Sequence, residues 1–148
     1  NTVVVSNMCG HLTLEACAVK GGLTGIRVTD SATVTIKFCD VGECGSHGVA
    51  VSRQAHADLS KTHLFRCNCA VLVGDLGSQC SLRGCHLQHN AQAGVVVHTG
   101  GQALLDDNVI AYNSVAGVSV NGRARAALSS NVISHNGQVG VCVSEGSV

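Results

Sequence analysis

Asn108-Val109-Ile110-Ala111-Tyr112-Asn113-Ser114-Val115-Ala116-Gly117-Val118-Ser119-Val120 returns 23 residues later as Asn131-Val132-Ile133-Ser134-His135-Asn136-Gly137-Gln138-Val139-Gly140-Val141-Cys142-Val143. Both Asn, the Ile and the Gly-Val-x-Val keep their places. Read towards the start of the chain, Gly-(Val/Ile)-x-Val recurs at Gly25-Ile26-Arg27-Val28, Gly48-Val49-Ala50-Val51 and Gly94-Val95-Val96-Val97. Ala70-Val71-Leu72-Val73 fills the gap, and the steps are 23, 22, 24, 23 and 23. A second column, Leu14, Ile36, Leu59, Leu82, Leu105 and Leu128, steps by 22 and then by 23 throughout. A third, Val19, Val41, Leu64, Leu87, Ile110 and Ile133, keeps the same steps. Three columns in one register over six copies establish a repeat.

Inside each copy, short pieces alternate between apolar and polar: Val34-Thr35-Ile36, Ala103-Leu104-Leu105, Ala126-Ala127-Leu128 and each Gly-Val-x-Val. Period-two alternation over three to five residues means short strands, and no window carries a helical period. Three strands and three bends per 23 residues predict an all-β chain, a right-handed parallel β-helix of about six coils with three short strands per coil. Coils stacked at about 4.8 Å make a rod roughly 29 Å long. A leucine-rich repeat has a similar period, and Leu128-Ser129-Ser130-Asn131-Val132-Ile133 resembles part of its consensus. Its upstream leucine positions are Ala126 and Arg123 here, however, and Gly-Val-x-Val has no place in it. A left-handed β-helix needs a six-residue period, which is absent.

Composition agrees with thin, similar layers. Of 148 residues 45% are hydrophobic, only 2% are aromatic, and there are 18 glycines and no proline. Charged residues make up 12% and cancel to zero, which argues against a nucleic-acid partner held by counterion release or base stacking. No run of 18 apolar residues is present, so no membrane span is expected. The first residues, NTVVVSNMCG, lack the features of a signal peptide. With no evident cap at either end, residues 1–148 are expected to form a single domain that is a segment of a longer solenoid, continued by further coils or a capping element.

Two ladders mark the bends. Cys17, Cys39, Thr62, Cys85, Asn108 and Asn131 each follow the Leu column by three residues; Cys44, Cys67, Asn90, Asn113 and Asn136 precede the Gly column. Asn tolerates a left-handed bend, and its amide can bond the same residue one coil away. Cys is expected to replace it by packing instead of bonding. The nine cysteines, odd in number and without paired spacings, are expected to be reduced, which favours a cytoplasmic setting.

The pattern Asn-x-Ile-x-x-Asn-x-x-x-Gly-Val-x-Val, in both copies quoted above, resembles the parallel β-helix repeat of pectin-lyase-like enzymes, C5 epimerases and carbohydrate-binding and sugar-hydrolase proteins. Among intracellular eukaryotic proteins it is most similar to the β-helix of F-box substrate receptors and of the Shc-binding spindle-protein family. The resemblance covers nearly the whole chain. It implies the fold, and either an interaction role, cytoskeletal or in substrate recognition, or a carbohydrate-processing one.

Chemistry must then sit on outward positions. Carbohydrate-cleaving centres need clustered carboxylates. Asp58 has only hydroxyls beside it, Asp106 is expected to stack on Arg83, and Asp107 to serve the bend, so no catalytic residue is assigned. Asp40, His63 and His86 form a column that could share a proton or hold a metal, although Val109 and Val132 continue it, and a solvated stripe with a loose Asp40–His63 pair is the preferred reading. Cys67-x-Cys69, and Cys80 with Cys85-His86, lack zinc spacing. No cofactor motif is visible. His47 and His98 are expected to face solvent without partners. Glu43, Arg66, His89, Tyr112 and His135 form a column suited to an interaction surface. Ala50, Leu72 and Val96 form an apolar strip, exposed on an isolated rod, that fits a protein partner. A non-catalytic scaffold inside a eukaryotic cell is the expected function. The alternative is a carbohydrate-binding or carbohydrate-processing β-helix whose catalytic coils lie elsewhere.

Overall fold

A computed structural model describes residues 2–5 and 10–144. Every element in them is a strand, and all paired strands are parallel. One coil shows the plan: His56–Ser60, His63–Phe65 and Cys69–Val73, each separated from the next by a tight corner. Corresponding strands of successive coils pair into three sheets. The first, of six strands, holds the Leu column, and the second, also of six, the short strands. The third, of seven, holds Gly-Val-x-Val. The chain is therefore a parallel β-helix, and the 23-residue period is one turn of it.

The three periodic columns line the interior. Ile36, Leu59, Leu82 and Leu105 are paired in register and fully buried, as are Val41, Leu64, Leu87 and Ile110, and Val49, Val71, Val95 and Val118. Each such side chain contributes roughly 1.5–3 kcal/mol by leaving water. Leu128, expected in the same buried stack, is 37% exposed, because no described coil lies above it.

The Gly column has a steric cause. A Cβ on Gly25 would lie 2.7 Å from the carbonyl oxygen of Gly48, one on Gly48 2.7 Å from that of Ala70, and one on Gly117 2.6 Å from that of Gly140. The backbones of successive coils approach closely there, inside the rod.

The corners differ from expectation in one respect. The left-handed residues are not the Asn and Cys of the ladders but the residues just before them. Ala16, Phe38, Lys61, Asp107 and Ser130 turn the first corner with φ between 47° and 55°, with Gly84 in the same column. Glu43, Arg66, His89, Tyr112 and His135 turn the second with φ between 51° and 58°. A left-handed non-glycine residue costs on the order of 1–2 kcal/mol. Its backbone N–H still reaches the next coil, as from Lys61 to the Arg83 carbonyl at 3.0 Å. The ladder residue after it turns inward and ties the corner. Asn108 accepts the Cys85 N–H at 2.9 Å, and its amide donates to the Leu82 carbonyl and to Asn131 Oδ1 at 3.0 and 2.9 Å. Asn113 does the same with Asn90, Leu87 and Asn136. The cysteines of these columns bond rather than merely pack. Cys39 and Cys44 donate S–H to the carbonyls of Lys37 and Gly42, at 3.1 and 3.3 Å. No buried side-chain nitrogen or oxygen among the described residues is left without a partner.

Candidate functional site

A left-handed corner residue throws its side chain outward, beside its equivalent one coil away. This builds the second-corner column. Arg66 Nη1 lies 3.9 Å from Glu43 Oε1. His89, Tyr112 and His135 stack, with ring centroids 5.3 and 5.1 Å apart and planes within 18° of parallel. Arg66 and His89 also line a shallow hollow of about 430 Å³ with Asn68 and Ser114. Because the rings face one another along the rod, they offer solvent their edges rather than their faces. A stacking platform for a sugar or a base needs an open face. Ring edges supply hydrogen-bonding atoms instead.

On the second sheet, Asp40, His63 and His86 occupy one register column. Asp40 Oδ1 lies 3.9 Å from His63 Nδ1, and the His63 and His86 rings meet edge-on at 6.3 Å. Burial holds His63 below the usual imidazole range; His86 and His89 push the same way, and Asp40 opposes them. Phe65 contributes to that burial, its ring 4.8 Å from His63. Phe65 lies across Gly42, where a Cβ would come within 2.8 Å of the ring, and Lys20 Nζ sits 5.6 Å above it. Among the described residues no three His, Cys, Asp or Glu side chains are grouped to hold a metal ion. Cys67, Cys69, Cys80 and Cys85 are buried. Cys9 lies outside the described residues.

The carboxylates are separated. Asp106 Oδ2 is 3.2 Å from Arg83 Nε, and its Oδ1 accepts the Ser129 hydroxyl at 2.8 Å. Asp58 is flanked in register by Thr35 and Ser81, and Asp30 meets Arg53 at 3.3 Å. No described column holds carboxylates on adjacent coils.

The outer face of the third sheet carries the apolar strip. Ala50, Leu72 and Val96 stand in register, with Arg27 below and Ser119 above. They are half-buried rather than fully exposed. Beside the strip, Cys69, Ala93 and Ala116 form a small buried cluster of their own, covered in part by Val96 and Val115. One band on this face is therefore apolar across two columns.

His47 and His98 do not stand alone, contrary to expectation. With Arg27, Ala50, Leu72 and Asp75 they line a hollow of about 260 Å³ at the margin of this face. Burial, then Arg27, then His98, holds His47 below the usual imidazole range. His47 Nδ1 is 2.9 Å from Ser46 Oγ, and His98 Nδ1 is 2.7 Å from Thr99 Oγ1. The His98 ring lies over Gly74, where a Cβ would come within 2.8 Å of Cε1. One signal for this site was visible in the sequence. The Gly-Val-x-Val steps of 22 and then 24 mark the coil whose corners depart from the repeat, and the hollow opens beside it.

Compared with known proteins, the chain matches the family described as "right handed beta helix region" over residues 2–148, and it belongs to that family. No curated protein and no solved structure matches it. The fold itself accommodates a binding scaffold or a carbohydrate-processing enzyme, so its function must be argued from its faces.

Proposed function

We propose that this β-helix is a non-catalytic protein-interaction scaffold. The observation that carries the reading is the half-exposed apolar strip on the third sheet, Ala50, Leu72 and Val96, with Arg27 and Ser119 at its two ends. A partner would gain about 25 cal/mol for each Å² of apolar surface it covers there. The second-corner column of Arg66, His89 and Tyr112 supplies a second, polar margin. Glycosidic cleavage asks for two carboxyl groups about 5–10 Å apart across the bond. The separated, ion-paired carboxylates suit that chemistry poorly. The likeness of the Asn-x-Ile-x-x-Asn repeat to F-box substrate receptors and the Shc-binding spindle-protein family supports a cytoplasmic, eukaryotic setting, cytoskeletal or in substrate recognition.

The test compares Leu72→Lys/Val96→Lys with Thr35→Lys, a control on the first sheet. Cross-linking and mass spectrometry should map one partner onto the third sheet, lost from the double variant and retained by the control. A panel of polysaccharides should show no turnover. Turnover that disappears in Asp58→Asn or Asp106→Asn overturns the scaffold reading in favour of a carbohydrate-processing one.

A further inference from the structure

The hollow at Arg27, His47 and His98 joins directly onto the apolar strip, since Ala50 and Leu72 belong to both. We propose that it is the specificity pocket of this face, taking the carboxylate of an acidic–aliphatic segment in a partner protein while the aliphatic neighbour lies on Ala50, Leu72 and Val96. This rests on the scaffold reading and names the chemistry of the partner.

Three observations support it. Arg27 and two imidazoles converge from three different coils, and nothing in the 23-residue repeat requires them there. The coil that opens the hollow also breaks the repeat. It has one residue fewer between Phe65 and Cys69 and one more between Val73 and Gln79 than its neighbours. Departures from a consistent pattern gather where function requires them. Finally, Gly74 leaves room for the His98 ring, so the histidine is placed by a neighbour's missing side chain.

The charge count selects a carboxylate. Besides Arg27, His98 and Ser46, the charged group facing His47 across the hollow is Asp75, whose carboxylate accepts the Arg53 backbone N–H at 3.4 Å. With both imidazoles neutral, Arg27 and Asp75 cancel; one protonated imidazole leaves a single positive charge, which one ligand carboxylate balances. A phosphate would bring a second charge and leave the apolar floor unused. A carboxylate beside His47 favours the protonated ring, so binding takes up a proton. Affinity must therefore rise as the pH falls from about 8 towards about 6.

The experiment titrates the whole chain with the capped peptide acetyl-Leu-Glu-Val-Glu-amide, following imidazole resonances by NMR. His47 and His98 should shift, with binding at least about threefold tighter at pH 6 than at pH 8. Arg27→Ala should weaken it about tenfold. Gly74→Ala, which only crowds the His98 ring, should weaken binding without moving the melting temperature. The Gln-for-Glu peptide should be inert. Equal binding of that peptide, pH-independent binding, or a response to inorganic phosphate but not to the Glu peptide overturns the proposal. If Leu72→Lys/Val96→Lys abolishes partner binding while Arg27→Ala and His47→Ala leave it intact, the acidic segment is wrong and the scaffold stands.

Discussion

A thiol in this rod is governed by depth. Burial pushes the Cys67 thiol up to about 12, with a hydrogen bond to the Cys44 backbone opposing the rise and the Cys44 thiol adding to it, and burial likewise raises Cys69, Cys80 and Cys85. Only the thiolate attacks an alkylating reagent, so these four should react very slowly at about pH 8. Among the described cysteines Cys17, exposed at the first corner, should be labelled first. Time-resolved alkylation read by mass spectrometry checks this order, and the unfolded, unreduced chain should titrate all nine cysteines. Early labelling of Cys67 or Cys80 would mean that the inward ladder opens readily. The same depth explains what the residues alone left hidden. Stacked columns reveal which side chains are neighbours along the rod, so the Arg83–Asp106 pair and the His89–Tyr112–His135 stack follow from spacing. They do not reveal a side chain leaning across a glycine, and so the His98 ring over Gly74, lining one hollow with His47, was out of reach.

Each strand is too short to be stable alone and owes its place to the strands beside it. Contact between coils is close at the Gly column, and two of its members make a controlled comparison. A Cβ on Gly117 would meet the Gly140 carbonyl at 2.6 Å, Ile133 Cγ2 at 2.7 Å and Asn136 Nδ2 at 2.8 Å. One on Gly140 would meet only Ile133 Cγ2, at 3.6 Å. Gly117→Ala should therefore cost about 1–3 kcal/mol, as other overpacking substitutions do. Gly140→Ala should stay within about 0.5 kcal/mol. Denaturant midpoints at equal slope measure both; equal losses would refute the close approach. Strand existence, register and the inward columns were all legible in the sequence because period-two alternation and the 23-residue step act together. The corner was half legible. The Asn ladder was correctly placed, but the left-handed residue is the one before it. Any outward side chain serves there, from Phe38 to Tyr112, so no residue type marks the position. Val96 in the strip is less exposed than alternation predicts, because it packs against the small residues of the adjoining column, Cys69, Ala93 and Ala116.

At the scale of the whole rod, stability is a sum over neighbouring coils, and position along the axis sets the value of a side chain. Leu105 lies between coils and is fully buried, whereas Leu128, in the same column, is 37% exposed. Leu105→Ala should cost about 2–5 kcal/mol. Leu128→Ala should cost less than half as much, since part of the side chain is already in water. Thermal or chemical unfolding of the two variants decides it, and equal costs would mean that the last described coil is covered in solution.

The ladder hydrogen bonds all run from coil to coil, along the rod and not across it. Held by its two ends and pulled, such a molecule bears the load on one coil's ladder at a time, as a zip does, and not on many bonds sheared together. Each 23-residue coil that lets go frees about 75 Å of slack chain. The rod thus gives way stepwise in tension, paying out line in nearly equal lengths.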